Sequence, residues 1–136
     1  MADKRTPRGI LDTSDVIDLD KIEAGVLPIE VAVTALTMAE LAAGPHATTD
    51  ANERARRQDR LQRTEAAFDP LPFDSEAARA YGRVYAAVVS AGRKARGARV
   101  VDLMIAAIAC SADLPLYTRN PSDFVALEDL VEIVSI

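Results

Sequence analysis

Three observations predict an α/β fold, a mainly parallel central sheet sandwiched between helices. Short apolar strands alternate with helical segments along the 136 residues. The connections between strands are far too long for hairpins and contain helices, which favours parallel pairing through crossovers. Acidic residues stand where strands turn into helices, and in open parallel sheets ligands gather at that carboxyl edge.

Residues 1–9 are polar and basic and read as a mobile tail, which leaves residues 10–136 as one domain. Gly9, Ile10 and Leu11 form a brief apolar entry that stops at Asp12-Thr13-Ser14. Thr13 or Ser14 is a natural N-cap for a helix over residues 15–23. Val16, Ile17, Leu19 and Ile22 supply its buried face, and Gly25 ends it. Residues 29–36 are rich in Val and Ile and read as a strand. Thr37 then caps a short helix over residues 38–43, closed by Gly44-Pro45. Thr48 or Thr49 caps a long helix over residues 50–67, whose charged middle is either solvated or covered by a partner.

Residues 68–73 hold two prolines and read as a short strand or an extended link. Asp74-Ser75 caps a helix over residues 76–91, with Ala77, Tyr81, Val84, Tyr85 and Val88 near the helical period. A basic loop over residues 92–97 leads into a strongly apolar helix, residues 100–112. Residues 116–118 are a strand ending at Arg119-Asn120-Pro121, residues 122–127 hold one helical turn, and residues 131–136 form a last strand.

Composition narrows the function. Apolar residues make up 49% of the chain and aromatic residues only 4%, so the core is Val, Leu, Ile and Ala. A module that stacks bases on aromatic platforms is disfavoured. Cys110 is the single cysteine and reads as a small core residue; no internal disulfide is possible. His46 is the single histidine, so a His-rich metal site cannot form within one chain. No apolar run approaches the roughly 18 residues of a membrane span, and no secretory signal is evident, so a cytoplasmic protein is expected. The net charge of −5 argues against non-specific nucleic-acid binding, but its distribution is uneven. Arg54, Arg56, Arg57, Arg60 and Arg63 form one basic run, and Arg93, Lys94, Arg96 and Arg99 another. The first run lies on a helix face that is either solvated or covered by a partner.

Five residues are candidates for chemistry. Asp12 sits at a strand-to-helix turn, where an Asp also serves as a cap. Glu40 follows a buried strand, but Thr37 and Glu40 also have the spacing of a capping box. Asp102 interrupts the apolar run from Val100 to Ala109. A buried charge needs a partner or a metal; Arg99 and Arg119 are the available ion-pair partners. Asn120 and Asp123 follow a further strand and offer oxygen ligands, although either can simply stabilise the turn. An all-oxygen set without His or Cys favours Mg²⁺ or Mn²⁺. Neighbouring carboxylates raise each other's pKa, and a divalent ion offsets that cost while activating water for attack on a phosphodiester.

These segments carry a resemblance. Ile10-Leu11-Asp12-Thr13-Ser14, Thr37-Met38-Ala39-Glu40-Leu41, Val101-Asp102-Leu103-Met104-Ile105-Ala106-Ala107 and Leu116-Tyr117-Thr118-Arg119-Asn120-Pro121-Ser122-Asp123-Phe124 resemble the four acidic motifs of PIN-domain ribonucleases. More narrowly they resemble the VapC toxins of type II toxin–antitoxin pairs, in order and spacing from Ile10 to the C-terminus. The resemblance implies a PIN-like α/β/α sandwich, Mg²⁺- or Mn²⁺-dependent RNA cleavage and neutralisation by a VapB-type antitoxin. It also implies a homodimer within a toxin–antitoxin hetero-oligomer. Asp12, Glu40 and Asp102 match acidic positions of the family. The fourth motif departs from it: Asn120 stands where many members place an acid, and Asp123 follows. On this basis Asp12, Glu40, Asp102 and Asp123 are the expected metal ligands, with Asn120 as a further catalytic candidate.

Two other functions compete with this reading. A phosphatase with an aspartate nucleophile expects a second Asp two residues after the first, where Ser14 stands. A phosphoacceptor receiver expects a Lys after its last strands, and no lysine follows Lys94. A PIN-like scaffold without catalysis is the other alternative, with Asn120 as its hint.

Overall fold

The computed structural model describes residues 6–97 and 99–136. Strands β1 (Arg8–Leu11), β2 (Glu30–Ala32), β3 (Leu116–Thr118) and β4 (Ile133–Ser135) pair in the order β2-β1-β3-β4. All three pairings are parallel, as the long crossovers require. The helices are α1 (Thr13–Ile17), α2 (Ala35–Ala43), α3 (Ala51–Ala67), α4 (Ser75–Ser90) and α5 (Arg99–Ala112).

Strand periodicity divides the core. Ile10, Ala32 and Leu116 point into one apolar layer with Ala77, Ala80, Val84 and Val88 of α4 and the buried face of α5. Their neighbours Leu11, Val33 and Tyr117 point to the opposite layer, with Val16 of α1 and Leu41 of α2. Successive strand residues face opposite sides, so three apolar positions per strand suffice to build an α/β/α sandwich. Phe124, on the 3-10 turn Pro121–Leu127, is fully buried in the first layer; its replacement by Ala would cost about 3–5 kcal/mol. Gly9 lies under the Tyr117 ring, where an added Cβ would come within 2.7 Å of a ring carbon.

Several boundaries differ from expectation for local reasons. β1 starts at Arg8, and the carbonyls of Thr6 and Pro7 accept from the Ile29 and Glu30 N–H groups at 3.0 and 2.9 Å. Residues 6–9 of the expected tail therefore belong to the sheet and its edge, while residues 1–5 lie outside the described residues. The expected strand over residues 29–36 stops at Ala32 because Thr34, not Thr37, caps α2: its Oγ1 accepts from the Thr37 N–H at 3.2 Å. The first helix closes at Ile17 instead of residue 23, and 3-10 turns Leu19–Lys21 and Ala24–Val26 follow. Asp12 rather than Thr13 or Ser14 is its cap, accepting from the Thr13 N–H. Asp50 rather than Thr48 or Thr49 caps α3, accepting from the Glu53 N–H at 2.8 Å.

Residues 68–73 are an extended link with one bridge, Leu71 to Thr34. Pro70 and Pro72 flank that bridge and lack N–H donors, so the ladder cannot lengthen there. Asp74 caps α4 as expected, accepting from Ala77 N–H at 2.9 Å. Tyr85, expected on the buried face, is 49% exposed; Ala77, Ala80, Val84 and Val88 fill that face. The chain leaves α4 through Gly92 at φ +73°. There the Gly92 and Arg93 N–H groups turn back to the carbonyls of Val89 and Val88, a helix end that favours glycine. Cys110 is half-buried on α5, with the Arg83 guanidinium 3.6 Å from its sulfur. Among the described residues no helix is long and apolar enough to cross a membrane.

Candidate active site

β1 and β3 lie side by side and end together, bringing Asp12 and Thr118 to one edge of the sheet. Thr118 Oγ1 donates to Asp12 Oδ2 at 3.1 Å, and Asp12 Oδ1 accepts from the Thr13 N–H at 2.8 Å. The same Asp12 thus caps α1 and presents a fixed carboxylate at the sheet edge. Burial pushes its carboxyl above the ordinary range; the Thr118 and Thr13 bonds oppose this, and the charges of Asp123 and Glu40 reinforce it.

Glu40 lies in the second turn of α2, since Thr34 is the cap. The capping-box alternative is therefore not realised. Thr13 Oγ1 donates to Glu40 Oε1 at 2.6 Å, and the buried hydroxyls of Thr13 and Thr37 are 2.9 Å apart. Both residues named in the sequence spacing matter here, but through a threonine relay from α1 to α2.

Asp102 lies in the first turn of α5. Neither of its expected ion pairs forms. Arg119 instead binds Asp15 at 3.1 Å and Asp18 at 2.8 Å, and the Arg99 ion pair is with Asp123 at 3.5 Å. Among the described residues no hydrogen bond or ion pair holds the Asp102 carboxyl. Burial pushes it up to about 6, with the charges of Asp12, Asp123 and Glu40 adding to the rise and Arg99 opposing it. Those Coulombic contributions place four acids within one electrostatic neighbourhood.

The fourth motif separates into two roles. The Asp123 carboxylate faces Arg99 and contributes to the rise at both Asp12 and Asp102. Asn120 is exposed; its backbone N–H donates to Thr118 Oγ1 at 2.9 Å and its amide reaches Ser14 Oγ at 3.5 Å. Arg93 and Arg99 donate to the carbonyls of Ser122 and Asp123, at 3.0 and 2.9 Å. Two members of the second basic run thus hold the turn that carries Asp123.

Sequence reasoning missed Asp15. It is completely buried, its Oδ1 accepts from Arg119 Nε and from the Arg119 N–H, and its Oδ2 has no hydrogen-bond partner. Burial and the charge of Asp12 push its carboxyl up, against the pull of Arg119. It anchors the chain beside Asn120 to α1. The available signal was Arg119 itself, the lone basic residue after Asp102. Thr13 and Thr37 read in the sequence only as caps, and Thr118 only as a strand residue, although all three lie within the candidate motifs.

Oxygen donors and converging negative charge fit a hard divalent cation. As placed, no three acids among the described residues form a ready metal clasp. The donors match in kind and charge, and a bound ion would have to draw them together.

An all-parallel sheet with its acids gathered at the carboxyl edge defines a class of α/β domains whose site is built from strand ends. Residues 10–129 match the PIN domain family model, and the chain belongs to that family. It is 36% identical over 133 residues to Ribonuclease VapC5 of Mycobacterium tuberculosis, covering 94% of this chain and 95% of the relative. A crystal structure of VapBC-5, a member of the VapBC family of toxin–antitoxin systems from the same organism, matches with a TM-score of 0.83. That match has 36% identity and covers 96% of this chain and 99% of the other. FitAcB from Neisseria gonorrhoeae matches in fold, with a TM-score of 0.71 and 24% identity, over 93% of this chain and 96% of that one. The chain is thus a VapC-type PIN domain.

Proposed function

We propose that this chain is the ribonuclease toxin of a VapBC-type pair, cleaving RNA with the help of Mg²⁺ or Mn²⁺. The observation that carries the reading is the shared neighbourhood of Asp12, Glu40, Asp102 and Asp123, where the other three charges add to the burial that pushes Asp102 up to about 6. Homology to a ribonuclease VapC supports nuclease chemistry.

Asp12, Glu40, Asp102 and Asp123 would hold the cation. When bound, it supplies Lewis acidity toward the scissile phosphate and the attacking water. The chain's own groups prepare for this. Thr118 and the Thr13 N–H orient Asp12, and Thr13 orients Glu40. Asp102 retains its proton up to about pH 6 without a cation, and ionises to serve as an oxygen ligand above that. Asn120 is assigned to substrate contact at the rim.

A VapB-type antitoxin is the proposed neutralising partner, supported by the VapBC structure that this chain matches. A homodimer within a toxin–antitoxin hetero-oligomer, acting in the cytoplasm, completes the reading, with residues 6–136 as its single domain. The test is cleavage of total RNA by purified protein with EDTA, Mg²⁺ or Mn²⁺, beside Asp12→Asn and Glu40→Gln. Cleavage restored by the cation and absent in both variants supports the reading. Cleavage that survives in either variant overturns it.

A further inference from the structure

We propose that Arg60 is an anchor for the RNA strand, binding a phosphate of a nucleotide that flanks the cleavage point; this rests on the ribonuclease reading above. The basic run on α3 looks uniform in sequence, but its five arginines are engaged differently. Arg54 donates to the carbonyls of Pro45 and Thr48. Arg56 and Arg57 share the carboxylate of Glu53, and Arg57 also donates to the Gly44 carbonyl. Arg63 pairs with Asp59 at 2.9 Å. Among the described residues no hydrogen bond or ion pair engages the Arg60 guanidinium, although the residue is half-buried.

Its position gives that freedom a use. Arg60 lines a groove of about 270 Å³ whose wall includes Glu40, with Ile17, Leu41, Gly44, Glu53 and Arg57. It also lines a larger groove of about 480 Å³ between the 16–21 segment and the end of α3. Ile17 and Arg60 line both, so the two grooves meet at Arg60. A path therefore leads from a carboxylate of the candidate site to an uncommitted guanidinium.

Of the acids that line the two grooves, Asp20 is exposed and without a hydrogen bond or ion pair among the described residues, while the other three are engaged. Glu53 is occupied by Arg56 and Arg57, Asp18 by Arg119, and Glu40 accepts from Thr13. An arginine left without a counter-ion beside such groups suits an incoming anion, and its planar fork matches phosphate oxygens. Ile17 offers an apolar wall for an adjoining base.

The experiment uses the full chain with Arg60→Ala, Arg60→Lys and, as a control, Arg56→Ala. Binding of a fluorescent, random-sequence single-stranded RNA is followed by anisotropy in EDTA across a salt series, and steady-state cleavage is measured with Mn²⁺. Thermal melts check that each variant folds; Arg60→Lys keeps the charge if the alanine variant melts early. The proposal expects Arg60→Ala to bind RNA about tenfold more weakly at low salt, with a log–log salt slope shallower by about 0.7. KM should rise with kcat nearly unchanged, Arg60→Lys should recover part of the affinity, and Arg56→Ala should match wild type. Wild-type cleavage with Arg60→Ala indistinguishable in affinity, slope and KM overturns the Arg60 assignment alone. If Arg60→Ala instead loosens only an antitoxin complex, the groove docks protein and the proposal is overturned. Wild type that leaves RNA intact under every metal condition brings down the ribonuclease reading, and the Arg60 proposal with it.

Discussion

The two halves of the acid cluster are built on different principles. On the strand side, Asp12 and Glu40 are held by hydroxyl and backbone donors, with Thr118, Thr13 and Thr37 packed beneath them. On the helix side, Asp102 has no such donors among the described residues, and Asp123 is held only by a 3.5 Å ion pair to Arg99. One half is positioned before any ligand arrives. In the other, burial and neighbouring charge hold the Asp102 carboxyl up, and it is free to respond. Orientation by secondary contacts and response to charge are therefore separable by mutation.

The largest effect should come from the fixed half. Asp12→Asn keeps the shape of the turn but removes a charge, and cleavage should fall by about 10³-fold or more. Gel-based cleavage assays at saturating Mg²⁺ would measure it. Next is the threonine relay. Thr13→Val is close to isosteric but frees Glu40, and activity should drop about 10- to 100-fold, as expected for outer contacts of a metal site. The fold should lose only about 1 kcal/mol in urea unfolding. Equal losses of activity and stability would show that Thr13 is merely structural.

A smaller effect tests the responsive half. The folded Asp102 carboxyl sits near 6, above its ordinary 3.8, so between those values the folded state binds a proton that the unfolded chain has released. Stability should therefore fall as pH rises from about 4 through about 6, with the loss complete above that. A bound cation offsets the same repulsion. The Mg²⁺-induced rise in Tm should be at least about 3 °C larger at pH 8 than at pH 5, and Asp102→Asn should shrink that difference. The smallest effect is at Arg99. Arg99→Gln removes the cation that opposes the rise, so the Asp102 carboxyl should titrate higher still, as read by carboxyl-carbon NMR.

The legibility of the sequence followed the same division. The layered fold was readable because Ile10/Leu11, Ala32/Val33 and Leu116/Tyr117 alternate faces, and because helical crossovers force parallel pairing. The apolar run around Asp102 made its perturbed environment readable, and burial there pushes the carboxyl up to about 6. Details that depend on which neighbour wins a hydrogen bond were not readable. Thr34 and Thr37 are both competent caps, and only the packing of β2 decides for Thr34. The capping-box spacing at Glu40 then concealed a side chain aimed at Thr13. Asp12 read as either a cap or a site residue; its Oδ1 caps α1 while its Oδ2 accepts from Thr118 at the sheet edge. Asp15 and Arg119 are 104 residues apart, and only the β1–β3 pairing brings them together.

The most direct test of a shared cation centre is calorimetric titration of Mn²⁺ into wild type, Asp102→Asn, Asp123→Asn and Asn120→Ala at pH 7.5. The account predicts saturable binding to wild type, at least about tenfold weaker binding to each acid variant, and unchanged binding to Asn120→Ala. Wild-type affinity in both Asp102→Asn and Asp123→Asn would contradict it.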